Sequence, residues 1–330
     1  MRMIGVVSGP TYFGFTGRKI AESDQLGFVG IMSSYISTSQ WSWGTTGAEV
    51  VTAFGSRIKG STCWWDRCTL ASCSPSLIIL TGRTESNIIP VISEINTKHP
   101  SVPVKFIPLN LSSQASVRSI AAKINESVEK INFLSNNAAI MAALYSKSVD
   151  GIENQFATNH IGHFLFTNLI MGKLLKAAPG ARIVNVSSSA HRSGTIRDGK
   201  FYNEWEAYGQ SKSANILFSR ALATKLEPYS CFAFSCHPGS IRSGLQLAAA
   251  EKAAGREYVR EQQKSLEQGC STTLVALLDP SIEDQNGAYL VNGGIADNLL
   301  PEYLTRKENE GKLWLLSEEL VWEKFDFWRN

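Results

Sequence analysis

Between Ser76 and Gly294 the chain alternates short, apolar, β-rich runs with amphipathic helical stretches, and this alternation limits the fold more than any other feature. Runs such as Leu77-Ile78-Ile79-Leu80 show no polar face, so they read as parallel strands covered by helices on both sides. The predicted strands are 77–80, 104–109, 131–135, 181–186, 231–236 and 288–291. Between them lie predicted helices at 87–97, 113–128, 152–176 (stopped by Pro179-Gly180) and 206–226. The class implied is α/β, a doubly wound and mostly parallel sheet whose ligand crevice lies at the C-terminal ends of the strands. The first 60 residues do not join this rhythm, apart from a short helical stretch near Ala48–Ile58. Residues 1–44 are therefore expected as a poorly ordered extension, and 45–330 as a single domain.

With 330 residues, 43% hydrophobic and 18% charged, the chain has material for one sizeable core. A net charge of +3 from scattered basic residues leaves no polyanion footprint, so nucleic acid is not an expected partner. No run approaches the roughly 18 apolar residues needed to span a bilayer. The start, Met1-Arg2-Met3-Ile4-Gly5-Val6-Val7, hints at a signal peptide, but Ser8, Gly9 and Pro10 interrupt it and no cleavage site follows. The expected location is the cytoplasm. The six cysteines (63, 68, 73, 231, 236 and 270) are then expected as reduced thiols. The spacing of the first three matches no zinc pattern, and no metal is expected.

The chemistry lies in Tyr208-Gly209-Gln210-Ser211-Lys212, inside a helical stretch, where Tyr208 and Lys212 share one face. Reduction of a carbonyl by hydride leaves an alkoxide that needs a proton, and a phenol beside a fixed ammonium can give one. Bringing a phenol from its usual value near 10 to neutrality takes about 4 kcal/mol, which a cation in a dry crevice can largely supply. Upstream, a strand ends in Ser187-Ser188-Ser189, which puts hydroxyls at the ligand edge of the sheet. Alone, the Tyr/Lys spacing also fits an ordinary amphipathic face, and the serine run a plain turn.

Taken together, Ile183–Arg192, Ala207–Asn215 and Gln155–Phe164 resemble the short-chain dehydrogenase/reductase family. The branch is the one containing retinol dehydrogenases and the WW-domain oxidoreductase, with fungal members, and the resemblance runs from about residue 45 onward. It implies a Rossmann-like fold in which Ser188 polarises the carbonyl and Tyr208 is the acid/base. It implies that Lys212 lowers the tyrosine's pKa and bonds the nicotinamide ribose, and that Asn159 organises a water in the proton relay. Pro238-Gly239-Ser240-Ile241-Arg242-Ser243 matches the turn that holds the nicotinamide carboxamide, with Ser243 where a Thr is usual. Asn110 stands where the family has an Asp that reads the adenine, and Asn137 opens Asn-Ala-Ala in place of Asn-Ala-Gly. Arg83 suits a 2′-phosphate, so the expected cofactor is NADP in preference to NAD. His160 and His163, three apart, are packing residues by the family pattern.

One departure lies ahead of Leu77. The family opens with a strand, a Thr-Gly-x-x-x-Gly-x-Gly turn and a helix, whose glycines let backbone amides approach the pyrophosphate. Here Ser61–Pro75 contains no glycine and is too short for a strand, a loop and a crossover helix. The first βαβ unit is thus truncated or degenerate. Three accounts stay open: a gene-model error, a protein that has lost cofactor affinity, or a first strand at Met3–Val7 with Gly9, Gly14 and Gly17 as its loop. The segment 245–269 is read as a helical, charged substrate lid. The tail residues Trp314, Trp322, Phe325, Phe327 and Trp328 are expected to pack on the domain or on a partner subunit, which leaves a homodimer open. Two functions follow. One is an NADP-dependent oxidoreductase acting on a carbonyl or alcohol of a hydrophobic small molecule, such as a secondary-metabolite intermediate. The other is a non-catalytic, cofactor-deficient scaffold or sensor.

Overall fold

The computed structural model describes residues 40–64, 68–193, 202–241, 245 and 262–326. Eight strands form one sheet: β1 (Thr62–Trp64), β2 (Leu77–Gly82), β3 (Val104–Pro108), β4 (Phe133–Asn136), β5 (Arg182–Val186), β6 (Phe232–His237), β7 (Tyr289–Val291) and β8 (Gly294–Ile295). Their order is β3-β2-β1-β4-β5-β6-β7-β8, parallel throughout except for the antiparallel β7–β8 hairpin. From β1 the sheet grows one way through β2 and β3 and the other way through β4, so β1/β4 is the switch point that opens a crevice. Every residue of β4 and β5 is buried, as the unbroken apolar runs required.

Helices cover both faces. They are α1 (Gly47–Phe54), α2 (Ile89–Lys98), α3 (Gln114–Ser127), α4 (Asn154–Phe156), α5 (Gly162–Leu169), α6 (Met171–Leu175), α7 (Glu204–Leu226), α8 (Leu266–Gly269), α9 (Ser271–Leu278) and α10 (Lys307–Val321). Local chemistry sets their starts. Ser113 accepts from the Ser116 amide at α3, Asn203 accepts from Trp205 and Glu206 at α7, and Ser265 with Gln268 forms a capping box at α8. The amphipathic segment expected over 152–176 is three helices, because a π-helical turn at Ala157–Ile161 separates α4 from α5 and Ile170 breaks α5 from α6.

The opening of the fold differs from the sequence reading in an instructive way. β1 exists, three residues long, and pairs with both β2 and β4. Its connection to β2 is residues 65–76, whose described part carries a 3₁₀ turn at Cys68–Cys73, and it is near the shortest parallel crossover possible. The helix that should follow β1 precedes it in the chain. The N-terminal end of α1 lies at α9's start, where a Cβ on Gly47 would meet Cys270 Sγ at 2.4 Å. Just past the other end of α1, Arg57 donates to Leu278 O at α9's end. Helix α1 therefore runs alongside α9 and antiparallel to the strands, in a flank that the βαβ order would fill from between β1 and β2. A core on this face joins Val50, Val51, Ile58 and Leu70 to Val184, Phe234 and Leu274. The opposite face is closed by α3, α5, α7 and α10 around Phe164, Phe166 and Phe218.

Of the extension expected over 1–44, residues 1–39 lie outside the described residues, while Trp41 is buried and donates from its indole to Asp279. The glycines at 9, 14 and 17 also fall outside. So do Phe327, Trp328 and most of the expected lid. Of the tail aromatics described, Trp314 and Phe325 pack on Phe164, whereas Trp322 is 90% exposed.

Candidate active site

The end of β5 is fastened to α7 by three hydrogen bonds, and this joint sets the position of the site. Val186 O accepts from Lys212 Nζ at 2.9 Å and from Asn215 Nδ2 at 3.0 Å, while Ser187 Oγ donates to Lys212 O at 2.8 Å. One helical turn before Lys212, Tyr208 is buried with its ring centroid 5.7 Å from the ammonium. Enclosure pushes the Lys212 ammonium down to about 8, opposed by the electrostatic pull of the Cys236 thiol. Ser188 follows directly on this joint. Its hydroxyl accepts from the Ala190 amide, and its carbonyl accepts from His191 Nδ1 at 2.6 Å.

Asn159 sits in the π-helical turn, an irregularity that re-aims a side chain within a helix. Its Nδ2 donates to Ile140 O and to Ser211 Oγ, both at 2.9 Å, and its Oδ1 accepts from the Ile140 amide at 2.8 Å. Ser211 in turn donates to Tyr208 O, so Asn159 braces the loop after β4 against the tyrosine's own turn of helix. Beneath this, a buried polar ladder runs from Asn136 to Asn185 and on to Ser219, tying β4, β5 and α7 together. Ser188, Tyr208, Lys212 and Asn159 are thus gathered at one edge of the sheet on three anchored segments. The neighbouring histidines go elsewhere. His160 contacts Ser317 of α10 and His163 donates to Ala138 O, and burial pushes them down to about 3 and about 4, respectively.

The residues expected around a cofactor are spread along the same edge. Arg83 is exposed directly after β2, Asn110 follows β3 with its Oδ1 turned into a local turn by Ser112, and Asn137 is exposed directly after β4. Pro238, Gly239 and Ile241 form the turn after β6; Gly239 holds φ +97, which favours glycine. Ser243 lies outside the described residues. An open cleft of about 900 Å³ at the opposite edge, among Arg220, Glu283, Asp297 and Glu310, contains none of these groups.

Sequence reasoning passed over Lys264, the most distinctive polar side chain of this edge. It is 1% exposed, its backbone bridges Ile241, and its Nζ has no hydrogen-bond partner among the described residues. The capping box at Ser265–Gln268 marks a helix start just after it, but nothing in the sequence marks the ammonium as buried or places it beside the turn.

The sequence pattern of the short chain dehydrogenases matches residues 69–254. This chain belongs to that family. Retinol dehydrogenase 12 of Mus musculus is 35% identical over 239 residues, covering 70% of this chain and 75% of that protein. The chloroplastic short-chain dehydrogenase TIC 32 A of Brassica napus is 36% identical over 243 residues, 68% of this chain and 74% of its own length. A crystal structure of an uncharacterised protein from Mycobacterium paratuberculosis superposes with a TM-score of 0.62 at 26% identity, covering 86% of this chain and 100% of that one.

This is a family of oxidoreductases that bind nicotinamide cofactors. The residues present suit the nicotinamide end: an enclosed cation at Lys212, a hydroxyl at Ser188, and the Pro238–Gly239 turn after β6. The diphosphate end differs. The N-terminus of α1 already has a capping box, in which Thr46 accepts from the Glu49 amide and the Glu49 carboxylate accepts from Thr46 N at 2.7 Å. Hydrogen bonds from the Thr46 backbone, then its side chain, hold that carboxyl below its usual range, so a negative charge already occupies the helix start. Cations for an anion must come from elsewhere. Among the described residues no helix is long and apolar enough to cross a membrane.

Proposed function

We propose that this chain is an NADP-dependent oxidoreductase that interconverts a ketone or aldehyde and an alcohol on a hydrophobic small molecule, such as a secondary-metabolite intermediate. The observation that carries this reading is the Tyr208 ring 5.7 Å from the enclosed Lys212 ammonium, beside Ser188 and braced by Asn159. The bound nicotinamide ring would supply the hydride in the reducing direction and accept it in the oxidising one. The protein's own residues handle the proton and the developing charge. Ser188 donates a hydrogen bond to the carbonyl oxygen as negative charge grows there. Tyr208 gives the phenolic proton to that oxygen, and Lys212 stabilises the phenolate that results. Asn159 positions a water that returns a proton to the tyrosine.

Lys212, Tyr208, Asn137 and the Pro238–Gly239–Ile241 turn would hold the nicotinamide nucleotide, and the family motif adds Ser243 to that set. Asn110 and Arg83 would meet the adenosine, and the exposed Arg83 guanidinium supports NADP because it is free to pair with a 2′-phosphate. A hydrophobic substrate is supported by Leu144, Tyr145 and Val149, exposed on the loop that follows β4. It is also supported by a relative named for retinol. We assign residues 45–330 to one catalytic domain. The compartment is the cytoplasm, where the thiols at 63, 73, 231, 236 and 270 stay reduced.

The test is Tyr208→Phe. Turnover should fall by at least about 10²-fold while NADPH affinity, followed by fluorescence, stays within about twofold. Retained turnover would mean that the proton donor is another group. Wild-type protein that fails to bind NADPH at millimolar concentration would favour the scaffold or sensor reading, which the missing glycine turn supports.

A further inference from the structure

Lys264 is enclosed without a counter-charge among the described residues. Its stem lies on the turn after β6, since a Cβ at Gly239 would meet Lys264 Cδ at 2.8 Å. Its backbone amide donates to Ser240 O at 2.7 Å. From this anchor the ammonium reaches toward the approach to α1, where it stands 5.9 Å from the Trp43 ring. Gln268 donates to Gly44 O beside it and fixes that approach. The ammonium makes no hydrogen bond and no salt bridge among the described residues, and the groups that act on it electrostatically are the thiols of Cys236 and Cys270. Cys236 also feels Lys212, so two enclosed ammoniums act on one thiol at the ligand edge.

A buried, unpaired ammonium is costly, and such groups persist where a ligand completes them. A neutral ligand would leave the cost in place. The charge, the location beside the carboxamide turn and α1, and the absence of a glycine cradle among the described residues call for a dianionic linker that passes between these elements. We infer that Lys264 binds the diphosphate of the nicotinamide cofactor, replacing with a side-chain cation the backbone contacts that a glycine-rich turn would make. This inference rests on the oxidoreductase reading and adds to it a residue that determines cofactor affinity. An ammonium is a point charge without fixed directionality, so it can meet a diphosphate that the Glu49-capped helix does not receive.

The experiment uses the full chain and Lys264→Met, which keeps the stem on Gly239 and removes the charge. NADPH affinity is read by fluorescence titration, and inorganic pyrophosphate is used as a competing probe. Thermal melts report folding. The variant should melt at or above the wild-type temperature, bind NADPH at least tenfold more weakly, and lose the pyrophosphate competition. Wild-type-like NADPH affinity in a folded Lys264→Met protein would overturn the assignment and leave the oxidoreductase reading standing. Loss of pyrophosphate competition with NADPH affinity unchanged would also overturn it, by assigning the ammonium to some other anion. Absence of NADPH binding by the wild-type chain would overturn both together.

Discussion

Lys212 is almost fully enclosed, yet the chemistry proposed for it needs a charge. Because burial lowers its pKa to about 8, the unfolded chain binds more protons than the folded one between pH 8 and the ordinary value near 10.5. Stability therefore climbs with pH across that window and sits at its lower plateau below 8, at a cost on the order of 3 kcal/mol. Lys212→Met should accordingly melt higher than wild type at pH 7 while losing turnover, since Val186 O keeps its bond from Asn215. A lower melting temperature would show that the ammonium stabilises the fold. Asn159 is the opposite case, as all of its polar atoms are used. Asn159→Ala leaves the Ile140 amide and carbonyl without that partner, and should lose about 2–3 kcal/mol in urea unfolding along with activity. At this scale the sequence was legible where chemistry imposes a spacing, as with Tyr208 and Lys212. It was silent where burial alone creates the effect, as with Lys264, because a lysine carries no local signature of being enclosed.

At the scale of elements, strands and helices with regular apolar patterning were readable to within a few residues; α3, expected at 113–128, spans Gln114–Ser127. What failed was short or displaced. β1 is Thr-Cys-Trp, too brief to show alternation, and it becomes a strand because β2 and β4 supply partners on both sides. Helix α1 could be read from Thr46 and Glu49, but its place against α9 depends on contacts more than 200 residues away. Helix α10 follows the same logic. Its Trp314 packs edge-on against Phe164 at 5.0 Å, and its Ser317 takes a hydrogen bond from buried His160. Trp314→Ala should cost about 3–5 kcal/mol, measured as a shift in the urea midpoint. A change below about 1 kcal/mol would mean that α10 rests loosely on α5 and α7.

Across the whole molecule, one charged cluster at the lower edge of the sheet ties distant parts together. Arg182, fully buried at the start of β5, pairs with Glu283 at 2.6 Å, and Arg57 beyond α1 shares that carboxylate at 2.9 Å. Burial raises the Glu283 carboxyl, but the hydrogen bonds and charges of Arg182 and Arg57 outweigh it and the net shift is downward. Its contribution is present above the ordinary carboxylate range and is lost as pH falls through the lowered value. Glu283→Gln should cost about 2–4 kcal/mol, because Arg182 would keep its burial and lose its counter-charge. The variant's stability should also fall less steeply below pH 4.5; an unchanged acid profile would assign that slope to other carboxyls.

The displaced α1 has a consequence for how the chain is made. A ribosome delivers this helix before any of the eight described strands, yet its seat is built from α9 and the residues just after it. Trp41 waits for Asp279, 238 positions later, and Arg57 for Glu283, 226 positions later. Through most of synthesis Val50 and Val51 lack the α9 side chains that cover them, so the first of the described helices to emerge is among the last to dock. The flank beside the cofactor crevice therefore closes only once nearly the whole polypeptide has been released.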